Sequence, residues 1–183
     1  MEEKPKKEKN EVVSIRIDTK VLDKIRSIAS NKKTSLNSLI NQLLRHSVEW
    51  DILASKTGWI PITKFALVSM LDNLDEKAIL EIGERVGKIV TRDLLLTMSG
   101  KYDVRDWISV LRNRADAAGF GYSEIEEDGQ IKCIMHHDMG LKWSKYFKSF
   151  YDSAFKELGY DLKFNLSENT LVYRLVKKNI AAI

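Results

Sequence analysis

The segment CIMHHD, residues 133–138, gathers the single cysteine and two of the three histidines of the chain. On a strand, Cys133, Met135 and His137 would share one face and His136 the other, close to Asp138. Soft sulfur and imidazole ligands at that spacing could seed a metal or redox sensor, with Cys133, His136 and His137 as the candidate ligands. The competing reading is packing. Cys and Met are common core residues, and with His46 as the one other histidine no second ligand cluster completes the set. Packing is the favoured reading, and no metal or other cofactor is expected.

A second constellation lies just downstream. In GLKWSKYFKSFYDSAFKELG, the side chains of Trp143, Tyr146, Phe147, Phe150, Tyr151 and Phe155 put six of the sixteen aromatics within thirteen residues. Spread around a helix, they could line a pocket for an apolar effector or meet a partner. Packing between that helix and a sheet accounts for them more simply. The chain carries no glycine-rich phosphate loop, no nucleophile elbow and no HExxH pair. Glu126, Glu127 and Asp128 fall at a predicted turn, where a solvated charge run is the ordinary arrangement. The residues therefore point to a binding protein and not to an enzyme.

At 183 residues, 44% hydrophobic and 31% charged, the chain has apolar material for a real core. It has room for a small module joined to a second unit of about 120 residues. One cysteine excludes an intrachain disulfide framework and a four-cysteine zinc site. No stretch approaches the roughly 18 uninterrupted apolar residues of a membrane span. The leading MEEKPKKEKN has no apolar signal core, so the expected setting is the cytoplasm, without membrane contact. Lys and Arg outnumber Asp and Glu by 11 to 7 in residues 1–50 but balance at 19 and 19 in residues 51–183. The whole formal net charge of +4 thus sits at one end, which suits a polyanion. Four of those lysines fall in residues 1–10, whose low hydrophobicity predicts a disordered basic tail.

VVSIRID, residues 12–18, alternates: Val13, Ile15 and Ile17 take one side of a strand, and Val12, Ser14 and Arg16 the other. A strand this short needs a neighbour for its backbone donors and acceptors, either elsewhere in the chain or in a second copy. Asp18 or Thr19 can cap the next segment, where Val21, Leu22, Ile25, Ile28 and Ala29 fall on one helical face. Asn31 is the expected stop, since Asn tolerates the left-handed conformation. Ser35 then caps a second helix with Leu36, Leu39, Ile40, Leu43, Leu44 and Val48 as its apolar stripe.

Strand, helix, basic turn and helix, carried by VVSIRID, VLDKIRSIA and TSLNSLINQLL, resemble the ribbon-helix-helix family of DNA-binding proteins, which includes the Arc, MetJ and CopG repressors. The resemblance covers residues 11–50. It implies a homodimer whose two strands pair as an antiparallel ribbon in the major groove while four helices form a shared core. It places Val13, Ile15 and Ile17 in that core and Val12, Ser14 and Arg16 against the bases. Arg16 is the strongest reader, because a guanidinium can donate a bidentate pair to guanine O6 and N7, typically ~1–3 kcal/mol of discrimination. A Ser hydroxyl adapts to donor or acceptor, and Val12 offers apolar contact alone, where the family often has a polar residue. Backbone N–H groups around Ser35, Leu36 and Asn37 would hold a phosphate, with Lys32 and Lys33 adding charge. Many members carry a glycine in the turn; here it reads ASNKKTS, and Asn31 is expected to take that role.

TGWIPIT, with Gly58 and Pro61, places a boundary near residues 55–61, separating a DNA-binding domain at 11–55 from a C-terminal domain at 62–183. Helices are expected at residues 62–73, from an Asp75 cap to residue 98, and from an Asp103 cap to residue 118. Gly83 and Gly87 lie one turn apart on the second and would allow close helix packing. GYSEIEEDGQIKCIMHH reads as a hairpin turning at Asp128 and Gly129, and DLKFNLSENTLVYRLV as another turning near Glu168 and Asn169. Hairpin, helix, hairpin predicts a four-stranded antiparallel sheet with the helix covering one face. The expected fold class is α+β.

The functional expectation is a homodimeric regulator of transcription, cytoplasmic and nucleoid-associated, that binds specific double-stranded DNA. Its C-terminal domain would sense a small-molecule effector or build a higher oligomer. The second reading is an architectural or antitoxin-like DNA-binding protein whose C-terminal domain binds a protein partner. Antitoxins of this family tend to use short flexible tails, so a folded region of this size weighs against that version.

Overall fold

The computed structural model describes residues 11–56, 59–98, 104–127 and 130–177, and the chain divides into two units, Met1–Arg45 and His46–Ile183. The basic tail, Gly58, the Asp103 cap and the turn at Asp128 and Gly129 lie outside the described residues.

In the first unit, α1 (Thr19–Asn31) starts where Asp18 Oδ1 accepts from the N–H groups of Lys20 (2.9 Å) and Val21 (3.2 Å). Asn31 is not the left-handed residue. It is the last residue of α1, Lys32 keeps near-helical angles (φ −82°, ψ 0°), and Lys33 takes φ 51°. Thr34 N–H then reaches the Ala29 carbonyl and Lys33 N–H the Ser30 carbonyl, both at 3.0 Å, which is the bond pair of a Schellman turn. Continuing the helix keeps the Ile28 carbonyl bonded to Lys32 N–H (2.9 Å). Such bonds offset the roughly 1–2 kcal/mol that a side chain costs in the left-handed region. Ser35 precedes α2 (Leu36–His46). The strand expected at residues 12–18 is not present in the single chain: residues 11–18 have neither helix nor strand. A strand of that length needs a neighbour, and the described residues of one chain supply none.

The second unit begins with a π-helical stretch, Ser47–Asp51, and α3 (Ile52–Lys56). Trp50, Ala54 and Trp59 pack within this unit. The two indoles meet edge to face at 5.3 Å, and Trp59 N–H bonds the Ala54 carbonyl at 3.1 Å. Then come α4 (Lys64–Asp72), α5 (Glu76–Met98), α6 (Val104–Ala117), β1 (Gly121–Glu127), β2 (Gln130–His136), α7 (Leu141–Glu157), β3 (Tyr160–Leu166) and β4 (Thr170–Lys177). Asp75 Oδ1 caps α5 through Ala78 N–H (2.8 Å). The Lys142 ammonium closes the end of α4, donating to the carbonyls of Leu71 (3.3 Å), Asp72 (2.8 Å) and Leu74 (2.8 Å).

The four strands form one antiparallel sheet in the order β1-β2-β4-β3. Pairing of Glu127 with Gln130 puts Glu126 and Glu127 in β1, not in the turn, because the ladder runs to the strand end. Cys133 lies beside Tyr173, and Tyr173 beside Phe164, on one face. Against that face packs α7, with Tyr151 and Phe155 at 5.2 and 5.7 Å from Tyr173. On the other flank of α7, Phe150 meets Trp107 of α6 at 6.1 Å. The aromatics surround the helix because it is covered on several sides, and Trp143, Phe147, Phe150, Tyr151 and Phe155 are all buried. Packing accounts for them.

Gly83 and Gly87 let α5 approach α7 at backbone distance. A Cβ at Gly83 would lie 2.8 Å from the Tyr146 carbonyl oxygen, and one at Gly87 would lie 2.4 Å from that of Phe150. Opposite them, Ser149 Oγ donates to the Leu80 carbonyl (2.7 Å) and Ser153 Oγ to the Glu84 carbonyl (3.0 Å). Small residues on both helices make those bonds reachable. No helix among the described residues is long and apolar enough to cross a membrane.

Candidate nucleic-acid interface

The first unit leaves its apolar positions uncovered. Val12 is fully exposed, and Ser14 and Arg16 are exposed beside it. Of the opposite parity, Ile17 is half-buried, while Val13 and Ile15 are 76% and 59% exposed. Along the helices, Val21, Ile28, Leu43 and Leu44 are each more than 40% exposed. Ala29 and Leu39 are the buried side chains among the described residues of this unit. Two short helices burying so little are not stable by themselves in water. Large exposed apolar side chains thus recur along residues 12–15 and on both helices of this unit.

The turn between the helices assembles donors. Ser35 Oγ accepts from Ser38 N–H (3.0 Å), and the Ser35 carbonyl accepts from Leu39 N–H (3.0 Å), which fixes the start of α2. The side chain of Leu36 is half-buried, so it can offer a ligand its backbone alone; Asn37 is exposed, and its carbonyl accepts from Asn41 Nδ2 (2.9 Å). Helix geometry gives the first-turn N–H groups, including those of Leu36 and Asn37, no acceptor within the helix backbone. Lys32 and Lys33 are exposed just ahead of them. Two ammonium groups and outward amide donors at a helix start are the elements of an anion site.

The CIMHHD cluster is built differently. Cys133, Met135 and His137 are buried, and His136 is exposed on the other side of the strand. Both ring nitrogens of His137 are committed: Nδ1 accepts from Met139 N–H (3.1 Å), and Nε2 lies 2.9 Å from Ser144 Oγ. Ser144 Oγ donates on to the Ser167 carbonyl (2.7 Å), so Nε2 carries the proton and the ring is neutral. His136 is held by Thr170 Oγ1 (2.9 Å) and Asp138 (2.8 Å). Burial pushes the Cys133 thiol above its usual range. Among the described residues, no group of three or more His, Cys, Asp or Glu is placed to hold a metal ion. Sequence reasoning missed the Ser144 and Ser167 partners, which come from α7 and the second hairpin.

Burial lowers the His137 pKa to about 4, while an unfolded histidine titrates near 6.5. The unfolded chain therefore binds the proton first as the pH drops. This contribution to stability is whole above pH 6.5 and shrinks as the pH falls toward 4, by ~3 kcal/mol in all. Urea midpoints of the wild type and His137→Gln at pH 7.5, 5.5 and 4.5 check this. The wild type should lose more over that range than the variant, and parallel declines would move the acid sensitivity to other groups.

Compared with protein-family models and with curated proteins, the chain matches none of them. Its own residues carry the functional argument.

Proposed function

We propose that this chain is a homodimeric, sequence-specific regulator of transcription whose residues 11–50 form a ribbon-helix-helix unit. Its second unit would serve effector binding or further assembly, and the setting would be the cytoplasm, on the nucleoid. The exposed apolar set of the first unit carries the reading: Val13, Ile15, Val21, Ile28, Leu43 and Leu44 stand uncovered in a single chain. A second copy pairing residues 12–18 into a ribbon would supply the missing strand neighbour and cover that set together. The same pairing would turn Val12, Ser14 and Arg16 outward as one row. The amide donors at the start of α2, with Lys32 and Lys33, would then seat on flanking phosphates.

Binding to a selected site and to a random duplex of equal length tests the assignment. Arg16→Ala should cost ~1–3 kcal/mol on the selected site and little on the random one. Lys33→Gly relieves the left-handed backbone of the turn while removing a charge. It should weaken both duplexes alike and lower the salt slope by about 0.9 per engaged protomer, the value of one phosphate charge left unneutralised in each copy. Equal losses on both duplexes for Arg16→Ala would take the reading role from it. A wild type that binds no DNA at low salt would overturn the proposal.

A further inference from the structure

Arg114 of α6 lays its guanidinium over three rings. The central carbon lies 5.0 Å from the centre of Trp59, 5.4 Å from that of Phe147 and 5.2 Å from that of Phe150. Such contacts attract the charge, but a ring face is a weak acceptor for an N–H. The polar side of the group is unpartnered: Nη1 is buried and bonded to nothing among the described residues. No carboxylate among them pairs with Arg114 either. Burial raises the phenols of Tyr146 and Tyr151, and the Arg114 charge pulls both back, so its field reaches into the core.

Two indole donors of the same cluster also lack acceptors. Trp107 Nε1 and Trp143 Nε1 are buried and unbonded among the described residues, and their rings lie 6.1 Å from Phe150 and 5.3 Å from Phe147. Buried donors are nearly always paired, so three orphans around these two rings call for an acceptor from outside the chain. Water can serve a neutral indole. It cannot neutralise a half-buried guanidinium.

We propose that Arg114 is the seat of a small organic monocarboxylate, whose oxygens take the guanidinium fork and whose apolar body rests against Trp59. The inference rests on the effector-binding reading of the second unit. Guanidinium and carboxylate match as a bidentate pair, in plane and in charge. Arg114 is the one cation over these three rings among the described residues, so a monoanion is neutralised there while a phosphate dianion keeps an excess charge. Phe147 and Phe150 are buried, whereas Trp59 and Arg114 are half-buried, so the open side is that of Trp59. Its contact with Trp50 holds that indole as a fixed apolar wall.

The probe is benzoate, titrated calorimetrically into the full chain, with benzyl alcohol as its neutral counterpart and inorganic phosphate as a competing anion. Benzoate should bind once per chain at millimolar concentration or below and raise the melting temperature as its concentration rises. Arg114→Met keeps a flexible apolar side chain on the rings and should bind benzoate about tenfold or more weakly; Arg114→Lys should also weaken it, since an ammonium lacks the fork. Without ligand, the melting temperature of Arg114→Met should hold or rise, because an uncompensated charge is gone. No benzoate binding by the wild type, or equal binding by wild type and both variants, would overturn the proposal and leave Arg114 to packing and solvent. Benzyl alcohol bound as tightly as benzoate would overturn the anion, and phosphate bound more tightly, then lost in Arg114→Met, would overturn the carboxylate. A duplex titration of the same samples separates the readings. A chain that binds DNA but not benzoate sinks this inference alone, and one that binds benzoate but not DNA upholds it and removes the regulator.

Discussion

Gly87→Ala should lower the unfolding free energy of the second unit by about 2–3 kcal/mol, with the sign opposite to that of an ordinary helix substitution. In an exposed helix the change gains about 1 kcal/mol, because glycine costs more chain entropy than alanine. Here the new Cβ would stand 2.4 Å from the Phe150 carbonyl oxygen and 3.1 Å from Ser153 Cβ. A backbone carbonyl inside α7 cannot swing aside, so α5 itself must move. That displacement stretches the bonds from Ser149 to the Leu80 carbonyl and from Ser153 to the Glu84 carbonyl. Gly83→Ala should act in the same direction with a smaller cost, its nearest backbone oxygen being 2.8 Å away. Urea unfolding followed by tryptophan fluorescence measures both. A neutral or stabilising result at Gly87 would show that the two helices do not meet there.

If residues 12–18 pair as proposed, Ile15→Glu should turn the dimer into a monomer at micromolar concentration, weakening association at least a thousandfold, and take DNA binding with it. Each dimer would lose two buried isoleucines, at ~1.5–3 kcal/mol apiece, and would have to bury two carboxylates in their place. Val12→Glu, three residues earlier and of opposite parity, should leave the dimer intact and impair DNA binding alone, through repulsion from phosphate. Sedimentation of the two variants separates the effects. The pair is informative because in the single chain both side chains are exposed, Val12 fully and Ile15 at 59%. Identical behaviour of the two would exclude a ribbon, and a monomeric wild type would exclude the dimer.

Short-range chemistry made much of this fold legible. The caps at Asp18, Ser35 and Asp75 are bonds from a side chain to backbone N–H groups two or three residues on, so a few letters suffice to place them. Apolar spacing located the helices from α4 to α7, and period-two alternation with polar turns located both hairpins and the face carrying Cys133 and Met135. The two-residue error at the end of α1 arose because side-chain preference favoured Asn31, whereas the carbonyls of Ile28, Ala29 and Ser30 set the stop at Lys33.

Lateral neighbours were decided by the tertiary structure. The spacing of Gly83 and Gly87 is visible in the chain, but the serines that face them are not, because helix contact depends on which faces meet. His137 was a candidate ligand until Ser144 and Met139 took its two nitrogens. Arg114 and the rings of Trp59, Phe147 and Phe150 came together only in the folded unit. Residues 12–18 show the division most simply. Their alternation is written in the chain, but a strand exists only where another backbone accepts and donates its hydrogen bonds. Among the described residues of the single chain, none stands beside them as a strand.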